Sequence, residues 1–121
     1  MQRVILSLAA NRYQKSNLAK ARLCLGELLS DVRYTSELWT EPMSCPRNEL
    51  YLNQLAEGNT ELTLDQLNQK LKEIENSFGR TTLKRQLGIV PIDIDILQYG
   101  DMRLHENDWQ RPYITMLIGE L

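Results

Sequence analysis

Two aspartates, Asp93 and Asp95, stand inside the run Ile92-Asp93-Ile94-Asp95-Ile96. Aspartate is depleted in strands, yet here two alternate with three isoleucines. Successive side chains of an extended chain point to opposite faces, so the isoleucines share one face and the aspartates the other. The aspartate Cβ atoms are then roughly 7 Å apart, two steps of strand rise, and the carboxylates can converge on hard cations. Magnesium takes one or two carboxylates and completes its shell with phosphate oxygens and water. A pair of such ions clamps both oxygens of an in-line phosphoryl displacement. The competing reading is a solvated acidic face. Two like charges in an otherwise apolar strand favour the metal, because their repulsion raises one pKa until a cation offsets it.

Just before that strand, residues 79–88 carry Arg80, Lys84 and Arg85 and no acid. A long irregular segment in a compact domain is usually functional or disordered. Beside a dicarboxylate it suits a polyphosphate whose oxygens are shared between metal and cations. These cations also suit the C-terminal dipole of a preceding helix, and both readings stand. In Leu50-Tyr51-Leu52-Asn53 the leucines face one way and Tyr51 and Asn53 the other. An aromatic face with a carboxamide fits a flat, hydrogen-bonding heterocycle, provided that the pair shares a depression with the aspartates. Thr40 and Pro42 precede it in a loop able to close over the same ligand. Trp39 and Trp109 are more often half-buried anchors than ligand contacts.

Composition removes other classes. The chain has 121 residues, 42% hydrophobic and 25% charged, which is ordinary for one soluble globular domain spanning 1–121. A formal charge of −2 argues against a non-specific nucleic-acid binder. No apolar run approaches the roughly 18 residues of a membrane span, and the first ten residues are too short for a signal peptide. Cys24 and Cys45 form no CxxC, and with one histidine they cannot build a zinc site alone. Free thiols and a cytoplasmic location are the default. Nucleophilic catalysis would have to use His105, which reads instead as a solvated turn residue.

The elements that must position these groups follow from periodicity. Residues 4–8 form an apolar run suited to a central strand covered on both faces. Residues 16–29 show helical spacing, with Ser16 or Asn17 able to cap the start. Residues 31–39 alternate as a half-buried strand, 40–49 are a loop holding Pro42 and Pro46, and 50–57 are a third strand. The clearest helix covers 63–78, with Thr63 and Gln66 as a capping box and Gly79 as the stop. Residues 79–91 lack clear periodicity, 92–97 are a fourth strand, and the apolar patch at 114–118 is a helical turn or two. Strand, helix, strand, strand, helix, strand is an α+β, ferredoxin-like βαββαβ sandwich, an antiparallel sheet with two helices on one face. Fold alone assigns no function.

These residues resemble the 6-hydroxymethyl-7,8-dihydropterin pyrophosphokinase family over residues 4 to about 100. Asp93-Ile94-Asp95-Ile96-Leu97, with Tyr99-Gly100 behind it, is similar to the family's L-D-L-D-I-hydrophobic strand and turn. Tyr51-Leu52-Asn53 resembles its Y-L-N strand, Thr40 and Pro42 its T-P-P loop, and Glu75, Gly79 and Arg80 its E-x3-G-R helix end. The resemblance implies transfer of pyrophosphate from ATP to the pterin hydroxymethyl group, with two Mg²⁺ on Asp93 and Asp95. It implies Arg80, Asp93 and Asp95 as catalytic groups. Lys72, Glu75 and Arg80 are expected around ATP, with Lys84, Arg85 and Arg111 expected there as substitutes from shifted positions for the family's missing cations, and Thr40, Pro42, Tyr51 and Asn53 around the pterin. The partners implied are small molecules, with neither nucleic acid nor membrane, for a cytoplasmic monomer or weak dimer. The chain departs from the pattern where Ala9-Ala10-Asn11 stands for G-S-N, Gln86-Leu87-Gly88-Ile89-Val90-Pro91 for R-W-G-P-R-T, and Pro112-Tyr113 for P-H. A member that binds pterin or nucleotide without chemistry is the alternative, and a ferredoxin-like interaction module a third reading.

Overall fold

A computed structural model gives the fold, with residues 1–42 and 49–121 described. Cys45 and Pro46, expected in a loop, lie outside the described residues. Strand β1 (Gln2–Ala10) is longer than its apolar run and runs through the middle of the sheet. Helix α1 (Gln14–Leu28) follows, then the short strands β2 (Ser30–Tyr34) and β3 (Leu38–Thr40), and the long β4 (Tyr51–Thr60). Helix α2 (Leu64–Ser77), a five-residue helix α3 (Thr82–Gln86), β5 (Asp93–Tyr99) and β6 (Met102–Arg103) complete the sheet region. A 3₁₀ turn (Glu106–Gln110) leads into α4 (Pro112–Ile118).

The sheet order is β2-β4-β1-β5-β6, with β3 also paired to β4 and the pairings antiparallel. With α1 and α2 on one face, this is the expected ferredoxin-like sandwich. The expected strand over 31–39 is two strands. At Thr35 the ladder is interrupted: its N–H donates to Leu55 O at 3.0 Å, and its buried side-chain Oγ1 takes the place of a carbonyl in accepting the Leu55 N–H, also at 3.0 Å. Helix α1 begins earlier than expected, and neither Ser16 nor Asn17 caps it. Tyr13 opens it in the left-handed region (φ 46°, ψ 49°). The capping box of α2 forms as expected, with Thr63 Oγ1 accepting from Gln66 N and Gln66 Oε1 from Thr63 N. Gly79 stands at φ 81° beyond its end, where a side chain would be strained.

Each of the three long strands sorts its side chains by parity. Val4, Leu6 and Leu8 of β1, Leu52 and Ala56 of β4, and Ile94 and Ile96 of β5 are buried against α1 and α2. Ile92, just ahead of β5, joins them. Each of these valine, leucine and isoleucine side chains contributes about 1.5–3 kcal/mol on burial. The opposite parity carries a second, smaller core of Ile5, Leu55 and Leu97 beneath Ile114 and Leu117 of α4. Trp109 packs there, its Nε1–H donating to Leu104 O at 3.0 Å and Leu97 O at 3.2 Å. Helix α4 covers only one end of this face. At the other end lie Ser7, Ala9, Asn53, Asp93 and Asp95.

Candidate active site

The register of β1 between β4 and β5 sets two rows across the open end of the sheet. Asn53, Ala9 and Asp93 form one row, and Leu55, Ser7 and Asp95 the next. The small side chains of Ser7 and Ala9 make the floor of a cavity of about 490 Å³, within the size range of small-molecule sites. Tyr51 and Thr40 stand on one side and the two aspartates on the other, while Arg111 and Tyr113 enter from the start of α4. Ala9, where the family pattern has glycine, lies within β1 and outside the positive-φ region, so no glycine is needed there.

Asn53 is buried and oriented by its neighbours. Its Nδ2 donates to Thr40 Oγ1 at 2.8 Å and to Leu38 O at 3.0 Å, which fixes the amide and ties β3 to β4. Its Oδ1 accepts no hydrogen bond among the described residues and is left as an acceptor on the cavity wall.

The acidic side is electrostatically loaded. Burial first, then the charge of Asp93, pushes the Asp95 carboxyl up to about 6. A cation shared with Asp93 removes that penalty. Among the described residues no three His, Cys, Asp or Glu side chains gather as a metal cage. Two carboxylates that leave the remaining positions to phosphate and water fit Mg²⁺ rather than an all-protein site.

Strand β6 pairs with Gln98 and Tyr99, so among the described residues the outer edge of β5 meets no strand along 93–96. Glu75, buried at the end of α2, caps that edge: its Oε2 accepts the Ile94 N–H at 2.7 Å. Its Oε1 holds Arg80 Nη1 at 2.9 Å, and the same nitrogen lies 3.6 Å from Asp93 Oδ1. Burial pushes the Glu75 carboxyl up to about 7, with the Asp93 charge adding to the rise and the Ile94 N–H and Arg80 opposing it. Around the edge of β5 lies a cavity of about 520 Å³ bordered by Leu64, Asn68 and Lys72 of α2 and by Leu104 and His105. Asp95 lines both cavities.

Over residues 5–121 the chain matches the family model for 7,8-dihydro-6-hydroxymethylpterin-pyrophosphokinase (HPPK). The chain belongs to this family. It is 30% identical over 130 residues to a folate synthesis bifunctional protein of Arabidopsis thaliana, an alignment that takes in 99% of the chain and 27% of that relative. A mitochondrial folate synthesis bifunctional protein of Pisum sativum is 33% identical over 97 residues, covering 74% of the chain and 19% of the relative. That of Chlamydia trachomatis serovar D is 33% identical over 81 residues, covering 59% and 18%. The chain thus spans about a quarter or less of these curated relatives.

The structure brings together most of the residues expected at the site. Asp93, Asp95, Thr40, Tyr51, Asn53 and Arg111 line one cavity, and Lys72 lines the other. Arg80 is joined to the first through Asp93. Three other residues expected around ATP line neither cavity. Glu75 turns inward, because a buried carboxylate needs partners and finds them in Ile94 N and Arg80. Lys84 is drawn away by α3, which Thr81 caps by accepting the Lys84 N–H at 3.1 Å, and Lys84 Nζ donates to Gly79 O at 2.8 Å. Arg85 is exposed on the same short helix and borders neither cavity. Pro42 follows β3 outside the cavity wall, where Glu41 stands instead. His105 is the exposed turn residue expected (φ 52°), at the edge of the second cavity.

Sequence reasoning passed over Ser7, Asp108 and Tyr113. Ser7 carried a signal, a small polar residue at the outward parity of an apolar strand. Asp108 holds Arg111, with Oδ1 3.2 Å from Nε, a spacing of three residues that the sequence displays. Tyr113 stood next to Pro112 without any pattern marking it as a cavity wall.

Proposed function

We propose that this chain transfers the pyrophosphoryl group of ATP to the hydroxymethyl group of 6-hydroxymethyl-7,8-dihydropterin. One observation carries the proposal: Asp95 stands where two cavities meet, one with an aromatic and carboxamide wall, the other between α2 and the edge of β5. The pterin occupies the first cavity, with Asn53 Oδ1 accepting a ring N–H, Tyr51 supplying an aromatic face and Thr40 at the edge. The nucleoside end of ATP occupies the second, beside Lys72, with the triphosphate passing Asp93 and Asp95. Asp93 and Asp95 would hold two Mg²⁺ ions, which would supply charge neutralisation at the phosphates when bound. Arg80, fixed by Glu75, and Arg111, fixed by Asp108, add positive charge beside the phosphates. The hydroxymethyl oxygen gives up its proton to solvent and bonds to the β-phosphorus, the bond from that phosphorus to the bridging α-phosphate oxygen breaks, and AMP leaves with that oxygen. No protein nucleophile is required, since positioning and charge stabilisation supply the rate.

The test is AMP formation from ATP and the hydroxymethyl pterin by purified protein. Asp93→Asn and Asp95→Asn should each lower it by about 10²–10³-fold, the range seen when a preorganised charge-stabilising group is removed. Equal rates in parent and variants would sink the assignment.

In this proposal the chain works as one domain and as a monomer or weak dimer, checked by a single unfolding transition and by sedimentation. It takes small molecules and no nucleic acid, in keeping with its acidic balance. No helix among the described residues is long and apolar enough to cross a membrane. A cytoplasmic location is the finer part of the proposal, supported by the free thiol of Cys24 and tested by fractionation.

A second reading, a binder without chemistry, is favoured by the turning away of Lys84 and by the lack of any cation at 86–91. Calorimetry separates the two. Pterin binding without Mg-ATP binding and without AMP would select it.

A further inference from the structure

A third cavity, of about 640 Å³, lies apart from the aspartates, between one face of α1, the end of α2 and residues 84–91. Arg12, Lys20 and Lys84 border it and no carboxylate does, in a chain whose formal charge is −2. None of the three cations has an ion-pair partner among the described residues. Arg12 instead lies over the Tyr13 ring, its guanidinium carbon 5.3 Å from the centroid. Cations gathered around a concave, partly apolar wall create a local positive potential that selects an anion.

Two further features suit a ring attached to that anion. Tyr13 and Phe78 give the cavity aromatic walls. Tyr13 is 70% exposed and held at positive φ, a conformation that costs energy for a bulky residue and that gathers at ligand sites. Asn17, 7% exposed, donates both amide protons, to Arg12 O and to Pro91 O, each at 2.8 Å. Its Oδ1 accepts nothing among the described residues, and the side chain lines the cavity. That oxygen is ready for a ligand N–H.

We infer that this cavity is a second binding site, for a phosphomonoester carried on a flat ring with an N–H donor. The phosphate sits among Arg12, Lys20 and Lys84, the ring against Tyr13 and Phe78, and the donor meets Asn17 Oδ1. The site is independent of the proposed transfer reaction, although the segment beside it begins near Arg80 and ends at Asp93.

The test titrates the whole, isotope-labelled chain with 4-aminophenyl phosphate and, separately, with inorganic phosphate, following backbone amides by NMR. Saturable shifts centred on Asn17, Lys20 and Ile89, at lower concentration for the aryl phosphate than for phosphate, are expected. Lys20→Glu should weaken aryl phosphate binding about tenfold or more, the loss expected for a charged hydrogen bond. Arg12→Ala, which keeps the backbone acceptor used by Asn17, should act in the same direction. Absence of saturation, shifts confined to Asp95, Ile96 and His105, or unchanged affinity in both variants with folded spectra would overturn the inference.

Discussion

Glu75 accepts the backbone N–H of Ile94 at 2.7 Å, and Ile94 is the residue between the two aspartates. The carboxylate therefore ends the sheet at its open edge and holds the segment that presents Asp93 and Asp95. It also orients Arg80 toward Asp93. Glu75→Ala leaves a buried N–H without an acceptor and should cost about 1–3 kcal/mol in urea denaturation. Glu75→Gln keeps an acceptor of the same size. It should leave most of the stability in place while slowing AMP formation through the freed Arg80. Equal stability of Glu75→Ala and parent would remove the capping role.

Stability of the metal-free protein should fall as pH rises from about 4 to 7. Asp95 and Glu75 are pushed up to about 6 and about 7, above their unfolded values near 4. Over that interval the native state holds more protons than the unfolded chain, so stability decreases with pH. The penalty is absent below both unfolded pKa values and complete above pH 7. For Asp95 it amounts to about 1–2 kcal/mol, less than the bare shift implies because water screens the group. Asp95→Asn should melt higher than the parent at pH 7.5 without metal. Mg²⁺ should raise the parent's melting temperature more at pH 7.5 than at pH 5 and should do little for the variant. Thermal unfolding at the two pH values decides it.

The acidic wall of the cavity and its Tyr51 and Asn53 wall were legible because both rest on the period of two in a strand. Once residues 92–96 and 50–53 are read as extended, Asp93, Asp95, Tyr51 and Asn53 must face away from the isoleucines and leucines. Only their meeting across β1 needed the structure, since pairing partners are chosen by the whole sheet. Lys84 was not legible. Its direction depends on α3, five residues with no apolar stripe, made by the Thr81 cap and the Lys84 contact with Gly79. Tyr13 was hidden for a similar reason, because a left-handed aromatic residue has no pattern in sequence. The apolar patch at 114–118 was visible as a helix, but which face of the sheet it covers is a long-range choice made by Ile5, Leu55 and Leu97.

Ala9 offers a test of the cavity floor that spares the aspartates. It sits between Asn53 and Asp93 in the register, and its side chain faces the cavity. Ala9→Leu places three more carbons in that space without entering the packed helix-side core, so the fold should persist. Pterin binding should weaken about tenfold or more while Mg-ATP binding, proposed around Asp95 and α2, stays within about twofold. Parallel calorimetric titrations check both. Unchanged pterin affinity would place the heterocycle elsewhere.

Helix α4 links the second core to the site. Ile114 is fully buried beneath it, and Arg111 and Tyr113, immediately before Ile114, line the cavity. The Glu120 carboxylate pins the other end of this segment, accepting Ser36 N at 2.7 Å and Ser36 Oγ at 2.8 Å. Ile114→Ala removes the central anchor and should cost about 2–4 kcal/mol, as buried isoleucine truncations do. Loss of stability alone would lower activity only through the unfolded fraction. A loosened α4 predicts more: at temperatures where the variant is fully folded, KM for the pterin should rise, because Tyr113 and Arg111 no longer hold their places over the floor. Glu120→Gln, which keeps the packing and weakens only the surface tie, should leave KM near the parental value. A variant Ile114→Ala that is less stable but kinetically unchanged when folded would confine α4 to a structural cover.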